Sequence, residues 1–148
     1  MSFVRHFYHQ VFSPKRRSPI IRPEIKRDIY KILYKHILNE HGFVYRINGM
    51  EDHVHILVSI PATVEVATFI KVVKQESSKT ISNSRLIPEW EGWQEGYSSF
   101  TFSYRELDMM IAYVKNQEEH HRHVSFLDEY RKILLESGVS PDDPFFPK

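Results

Sequence analysis

Apolar residues in the first sixty positions follow two different periods. Across residues 3–12 aromatic and β-branched side chains alternate with polar ones, which is typical of a β-strand. From Pro23 to Gly42 apolar residues recur every three to four positions, and this spacing predicts an amphipathic helix. Two strand-like segments, 43–47 and 53–60, flank Asn48-Gly49, a pair that favours the tight turn of a β-hairpin.

The second half of the chain repeats the change of period. A helix is predicted over about 64–82, a half-buried strand over 97–104, and a third helix on the apolar spacing from Leu107 to Val114. A fourth helix ends near Gly138, and the proline-rich tail over 140–148 is expected to be irregular. The order β-α-β-β-α-β followed by helices predicts an α+β, ferredoxin-like split βαβ antiparallel sheet. Two helices should cover one face, leaving the other face open, with the additional helices at the C-terminus.

Length and composition narrow the class of protein. A chain of 148 residues with 41% hydrophobic and 26% charged residues predicts a single domain, with a core over about 3–122 and a C-terminal helix and tail over about 123–148. The absence of cysteine excludes thiolate metal sites and thiol nucleophiles, and it favours a cytoplasmic location. Neither a membrane-spanning segment nor a signal peptide is indicated.

Charge is distributed unevenly along the chain. Residues 1–50 hold ten Lys or Arg against three Asp or Glu, whereas residues 86–148 hold six against twelve. An excess of basic residues in one half is compatible with a polyanionic partner and equally with a solvated surface. Eight basic residues are candidate phosphate contacts: Lys15, Arg16, Arg17, Lys71, Lys74, Lys79, Arg105 and Lys115. Three aromatic residues could stack on bases or belong to the core: Trp93, Tyr97 and Phe100.

Two histidines two residues apart are the first candidate chemistry. On a strand, His53 and His55 project from one face, whereas Val54, Ile56 and Val58 project from the other. Two adjacent imidazoles can bind one divalent metal through neutral ring nitrogens. An isolated pair of this kind is also compatible with ligand-free histidines on a partly exposed strand.

A second candidate lies on the third predicted helix. Tyr113 and Gln117 are four residues apart, so they share one helix face beside the apolar stripe. A phenol can form covalent intermediates, and an amide oxygen can complete a coordination shell. The same tyrosine could instead lie at the edge of the core.

Together these motifs resemble the single-tyrosine transposases of the HUH superfamily, the enzymes of insertion sequences and their REP-associated relatives. The resemblance rests on His53-Val54-His55 with the preceding residues 48–52, on residues 93–97, and on residues 113–117 followed by 118–121. It extends from about Phe7 to about Tyr130. Three separate motifs in the expected order are more specific than any one of them.

The resemblance implies a role for each matching residue. His53 and His55 would bind a divalent cation, Mg²⁺ or Mn²⁺, and Gln117 would be the third protein ligand. Tyr113 would attack a phosphodiester of single-stranded DNA, leaving a 5′-phosphotyrosine and a free 3′-hydroxyl that can later rejoin strands. The roles of Asp52, His120 and His121 stay open.

The resemblance also implies partners. The substrate would be single-stranded DNA with hairpins near the ends of an element. A homodimer would share its active sites, with the tyrosine helix of one chain against the histidines of the other. The alternative that composition allows is a non-catalytic, ferredoxin-like module that binds single-stranded nucleic acid.

Overall fold

A computed structural model describes all residues, Met1–Lys148. Its centre is one antiparallel sheet in which β1 lies between β3 and β4 and β2 occupies the edge beside β3. The strands are β1 (Phe7–Phe12), β2 (Phe43–Met50), β3 (His53–Ser59) and β4 (Ser98–Phe102). This spatial order confirms the ferredoxin-like sheet that the sequence predicts.

Two long helices, α1 (Lys26–Asn39) and α2 (Val66–Ser84), pack on one face of the sheet. Each buries an apolar stripe at helical spacing, because that is the only way in which an amphipathic helix removes its apolar side chains from water. Ile29, Leu33 and Ile37 of α1 are buried, as are Phe69, Ile70 and Val73 of α2. On the sheet side Val54, Ile56 and Val58 complete this core.

The second face of the sheet is covered, which makes the expectation of an open face wrong. Three C-terminal helices lie there: α3 (Leu107–Lys115), α4 (Gln117–His120) and α5 (Phe126–Glu136). Their inward residues, including Val114 and Phe126, need a surface to pack against, and the sheet supplies it. As a result β3 is buried on both of its faces along almost its entire length.

The hairpin turn lies three residues later than predicted. β2 continues through Asn48 and Gly49, and Met50 pairs with His53, so Glu51 and Asp52 form the loop. Gly49 is required by close approach, because a Cβ there would be 2.1 Å from the backbone oxygen of His53. Asp52 is the last residue of this loop, and its carboxylate lies 2.8 Å from Nδ1 of His53.

Other boundaries differ by a few residues. β1 begins at Phe7, and the predicted third helix breaks at Asn116 into α3 and α4. Backbone hydrogen bonds from Asn116 to Ala112 and from His120 to Asn116 carry the ladder across the break, so Tyr113 and Gln117 still face the same region. No helix or strand follows Glu136, as expected for the tail. None of the helices combines the length and apolarity that crossing a bilayer requires.

Candidate metal and nucleophile site

Three histidines direct one ring nitrogen each toward the same point between the sheet and α5. His53 and His55 come from β3, and His121 follows α4. The Nε2 atoms of His53, His55 and His121 lie 3.6, 3.1 and 3.2 Å from Oε1 of Glu129. The side chains of His53 and His55 are fully buried. The strand histidines are therefore part of an enclosed cluster instead of an exposed pair.

A partner on Nδ1 fixes the orientation of each ring. Nδ1 of His53 lies 2.8 Å from Asp52, Nδ1 of His55 lies 2.7 Å from Nε2 of His9, and Nδ1 of His121 lies 2.7 Å from the carbonyl of Val124. An N–H on Nδ1 leaves the lone pair on Nε2, the state in which imidazole binds a metal. Burial lowers the pKa of His9 to about 3, so His9 is neutral and can accept this bond from His55.

Glu129 of α5 occupies the centre of the cluster. Its carboxylate is almost completely buried. Burial by itself would raise the pKa of this carboxyl, but the contacts with His121 and His55 outweigh it and hold the pKa well below its ordinary value. Conversely, burial would lower the pKa of His121, and the contact with Glu129 raises it instead. Glu129 is thus an ionised carboxylate among imidazoles.

Gln117 and Tyr113 approach the same carboxylate from α4 and α3. Gln117 Nε2 donates to Glu129 Oε2 at 3.0 Å, and Gln117 Oε1 lies 3.1 Å from His53 Nε2. The Tyr113 hydroxyl donates to Glu129 Oε2, and the centre of its ring is 5.8 Å from that of His55. Burial, followed by the charge of Glu129, raises the pKa of the Tyr113 phenol, so it is protonated at neutral pH.

The donor set fits a divalent transition metal. The four ligand atoms of His53, His55, His121 and Glu129 all lie within 4.8 Å of one another. Bonds of about 2.1 Å to one metal place neighbouring ligand atoms about 3.0 to 3.4 Å apart, close to the separations from Glu129 Oε1. Imidazole nitrogens with one carboxylate suit Mn²⁺ and later transition metals better than Mg²⁺, which prefers oxygen ligands.

The predicted site residues His53, His55, Tyr113 and Gln117 are brought together by the fold, and they come from one chain. Two participants were missed, Glu129 and His9. Glu129 had a detectable signal, because it falls within the apolar stripe that Phe126, Tyr130 and Ile133 form at helical spacing. A carboxylate in such a stripe either lies at the exposed edge of the stripe or is buried with a functional role. His9 gave no comparable signal, because a single histidine in a strand pattern does not distinguish a functional side chain from an ordinary one.

The structure also places the three residues whose roles the sequence left open, Asp52, His120 and His121, at or beside the cluster. Asp52 orients His53, and that contact lowers the pKa of the Asp52 carboxyl despite partial burial, which acts in the opposite direction. His121 belongs to the cluster. His120 Nε2 lies 3.2 Å from Glu129 Oε2, on the side of Tyr113.

The basic candidates divide between two clefts and two isolated positions. Arg16 and Arg17 line a cleft of about 820 Å³ beside Phe126 and Tyr130, and Lys15 is adjacent in the same turn. Lys71, Lys74 and Lys79 line a second cleft of about 720 Å³. Lys74 Nζ also donates to the carbonyl of Gln94 at 2.7 Å. Arg105 and Lys115 are exposed and line neither cleft.

The aromatic candidates differ in exposure. Trp93 is buried in the core, where its Nε1 donates to Ser77, so of its two alternatives the structure supports the core position. Its indole packs edge-on against Phe12, which explains why the core includes it. Tyr97 is exposed on the rim of both clefts, and Phe100 is half-buried near His9.

A family model described as IS200-like transposase matches residues 2–117. The chain belongs to this family. The matched part contains His53, His55, Tyr113 and Gln117, whereas α5 with Glu129 lies beyond it. The family agrees with the resemblance found in the sequence motifs.

Individual relatives agree with this assignment. The transposase for insertion sequence element IS200 of Salmonella typhimurium is 32% identical over 71 residues, which are 48% of this chain and 47% of that protein. The match therefore spans about half the length of this curated relative. The corresponding transposase of Salmonella typhi matches to the same extent.

Two solved structures have the same fold. A protein from Deinococcus radiodurans R1, solved as a candidate transposase, has a TM-score of 0.61 at 23% identity and covers 79% of this chain and 95% of its own. A REP-associated tyrosine transposase bound to a REP hairpin has a TM-score of 0.59 at 13% identity, covering 84% and 76%.

Proposed function

We propose that this IS200-like transposase cleaves and rejoins single-stranded DNA, with Tyr113 as the nucleophile beside a divalent cation. One observation carries the proposal. The Tyr113 hydroxyl donates a hydrogen bond to the buried carboxylate of Glu129, and the Nε2 atoms of three histidines converge on the same carboxylate. A nucleophile adjacent to a cation site is the arrangement that phosphoryl transfer requires.

In the proposed reaction Tyr113 is the nucleophile, and the 5′-phosphotyrosine product is the one that the resemblance of the sequence motifs implies. The Tyr113 oxygen attacks phosphorus and forms the Tyr–O–P bond, and the bond from phosphorus to the 3′-oxygen breaks. The phenol loses its proton, and the 3′-oxygen gains one as it leaves as a hydroxyl. A 3′-hydroxyl can reverse these steps and join strands, because the phosphotyrosine retains a phosphodiester.

The cation would be held by His53 and His55, with the amide oxygen of Gln117 beside them. When bound, it would stabilise the extra negative charge on the nonbridging phosphate oxygens. Asp52 and His9 hold the two imidazoles in the ligating tautomer. Because imidazole nitrogens make up most of the donor set, we expect the site to bind Mn²⁺ more tightly than Mg²⁺.

The substrate proposed is hairpin-containing single-stranded DNA. One structurally similar protein is a tyrosine transposase bound to a REP hairpin, which supports DNA of this shape. Arg16 and Arg17 stand where they could contact phosphates next to the site, since their cleft is bounded by Phe126, whose ring stacks on that of His53. We also propose a homodimer, in which each site is formed within one chain because the Tyr113 hydroxyl donates to Glu129 of the same chain.

The proposal is tested with single-stranded oligonucleotides copied from the hairpin-forming DNA that flanks the gene. We expect Mn²⁺-dependent cleavage that EDTA abolishes and that Tyr113→Phe eliminates, with DNA binding within a few fold of the unsubstituted protein. Tyr104→Phe is the matched control, because Tyr104 is exposed, lies outside the cluster and lines neither cleft. Binding of these oligonucleotides without cleavage by the unsubstituted protein would favour the non-catalytic module.

A further inference from the structure

The carboxylate of Glu129 lies where a ligand of the proposed cation would lie. Glu129 Oε1 is 3.1 to 3.6 Å from the Nε2 atoms of His53, His55 and His121. The separations from His55 and His121, 3.1 and 3.2 Å, are those of neighbouring atoms in one coordination shell, and the 3.6 Å from His53 is slightly longer. Each of the three rings is anchored at Nδ1, so the convergence of their Nε2 atoms is imposed by the surrounding structure.

The charge balance of the site also favours Glu129 as a ligand. A dication surrounded only by His53, His55 and the Gln117 amide would be buried without a neutralising anion, which is costly in a low-dielectric interior. Glu129 is the carboxylate whose oxygen belongs to the cluster of potential ligand atoms. Asp52 is held on the far nitrogen of His53 and serves to orient the ring.

We propose that Glu129 and His121 are ligands of the cation, adding one carboxylate oxygen and one imidazole to His53 and His55. This inference rests on the proposed function, and it extends the metal site beyond the family-matched residues 2–117 into the C-terminal segment. With Oε1 on the cation, Oε2 still faces the Tyr113 hydroxyl. Glu129 thereby fixes the distance between cation and nucleophile.

The test is calorimetric titration of the full chain with MnCl₂. We expect Glu129→Gln, which keeps the shape and removes the charge, to weaken Mn²⁺ binding by at least about tenfold, since a charged ligand is lost. Glu136→Gln on the exposed part of the same helix is the matched control and should bind within about twofold of the unsubstituted protein. His121→Asn should also weaken binding.

Equal or tighter Mn²⁺ binding by folded Glu129→Gln would overturn the inference, because Glu129 would then only occupy the cation's place. Circular dichroism establishes folding. If Glu129→Gln does not fold, His121→Asn and Glu129→Asp are titrated instead, and undiminished affinity in both would overturn it equally. Failure of the proposed metal site is distinguishable: His53→Gln/His55→Gln would then bind Mn²⁺ as well as the unsubstituted protein does.

Discussion

The hydroxyl of Tyr113 donates a hydrogen bond to Glu129 of the same chain. Through this carboxylate the proposed nucleophile is connected to His53 and His55 of β3 and to His121, which follows α4. α3, β3 and α5 therefore meet at one buried anion. Substitution of a residue that orients one of these histidines should therefore weaken metal binding.

Asp52→Asn should weaken Mn²⁺ binding by about 10- to 100-fold, because the amide no longer supplies a carboxylate partner for His53 Nδ1. The matched control is Glu51→Gln in the same turn, since the Glu51 side chain makes no hydrogen bond or ion pair with either histidine. Calorimetric titration of both variants checks the difference. Equal losses in the two would show that the turn, and not the carboxylate, is responsible.

His55→Ala should destabilise the metal-free protein by about 2 kcal/mol or more, since it leaves His9 Nε2 buried without its partner, removes one contact of Glu129 and opens a cavity. An open sheet face would have made this substitution nearly neutral. His123→Ala, at an exposed position, should cost less than about 0.5 kcal/mol. Urea denaturation in EDTA measures both. A loss for His55→Ala no larger than that for His123→Ala would contradict the burial.

Gly49→Ala should impair both folding and metal binding, because its Cβ would be 2.1 Å from the backbone oxygen of His53. Overpacking of this kind costs about 2 kcal/mol or more. At Gly96 (φ +78°) a Cβ meets no atom within 4 Å, so Gly96→Ala should cost only the positive-φ strain and leave Mn²⁺ affinity unchanged. Thermal unfolding with and without Mn²⁺ separates the two variants.

Mixing His53→Ala/His55→Ala chains with Tyr113→Phe chains tests whether sites are shared between subunits. Because Tyr113 lies beside the histidines of its own chain, we expect the mixture to stay inactive. Differential tags establish that mixed assemblies form. Recovered cleavage would instead show that the tyrosine helix exchanges between chains, as the resemblance implies.

Much of the fold was predictable because periodicity reports which face of an element is buried. The alternation around His53 and the helical spacing in α1 and α2 were sufficient for the sheet and its first layer. The turn was misplaced because Asn48-Gly49 is a local signal, whereas Gly49 is needed for contact with the opposite strand. A tight turn and close approach of two strands both require glycine, so Gly49 alone did not distinguish between them.

The candidate site was only partly predictable. The His53, His55, Tyr113 and Gln117 motifs are short and have regular spacing. Glu129 meets them only through the path of the chain between α4 and α5, and no sequence spacing encodes that contact. Covering of the second sheet face has the same origin, since the apolar stripes of α3 and α5 do not specify which surface they pack against.

Mass spectrometry of the covalent product tests the proposed chemistry most directly. The unsubstituted protein is incubated with Mn²⁺ and the hairpin-containing single-stranded oligonucleotide, then digested. We expect a 5′-phosphonucleotide adduct on Tyr113 that is absent with EDTA and absent from Tyr113→Phe. A cleaved oligonucleotide with the adduct on another tyrosine, such as Tyr97 or Tyr104, or with no adduct on the protein, would contradict the assignment of Tyr113 as the nucleophile.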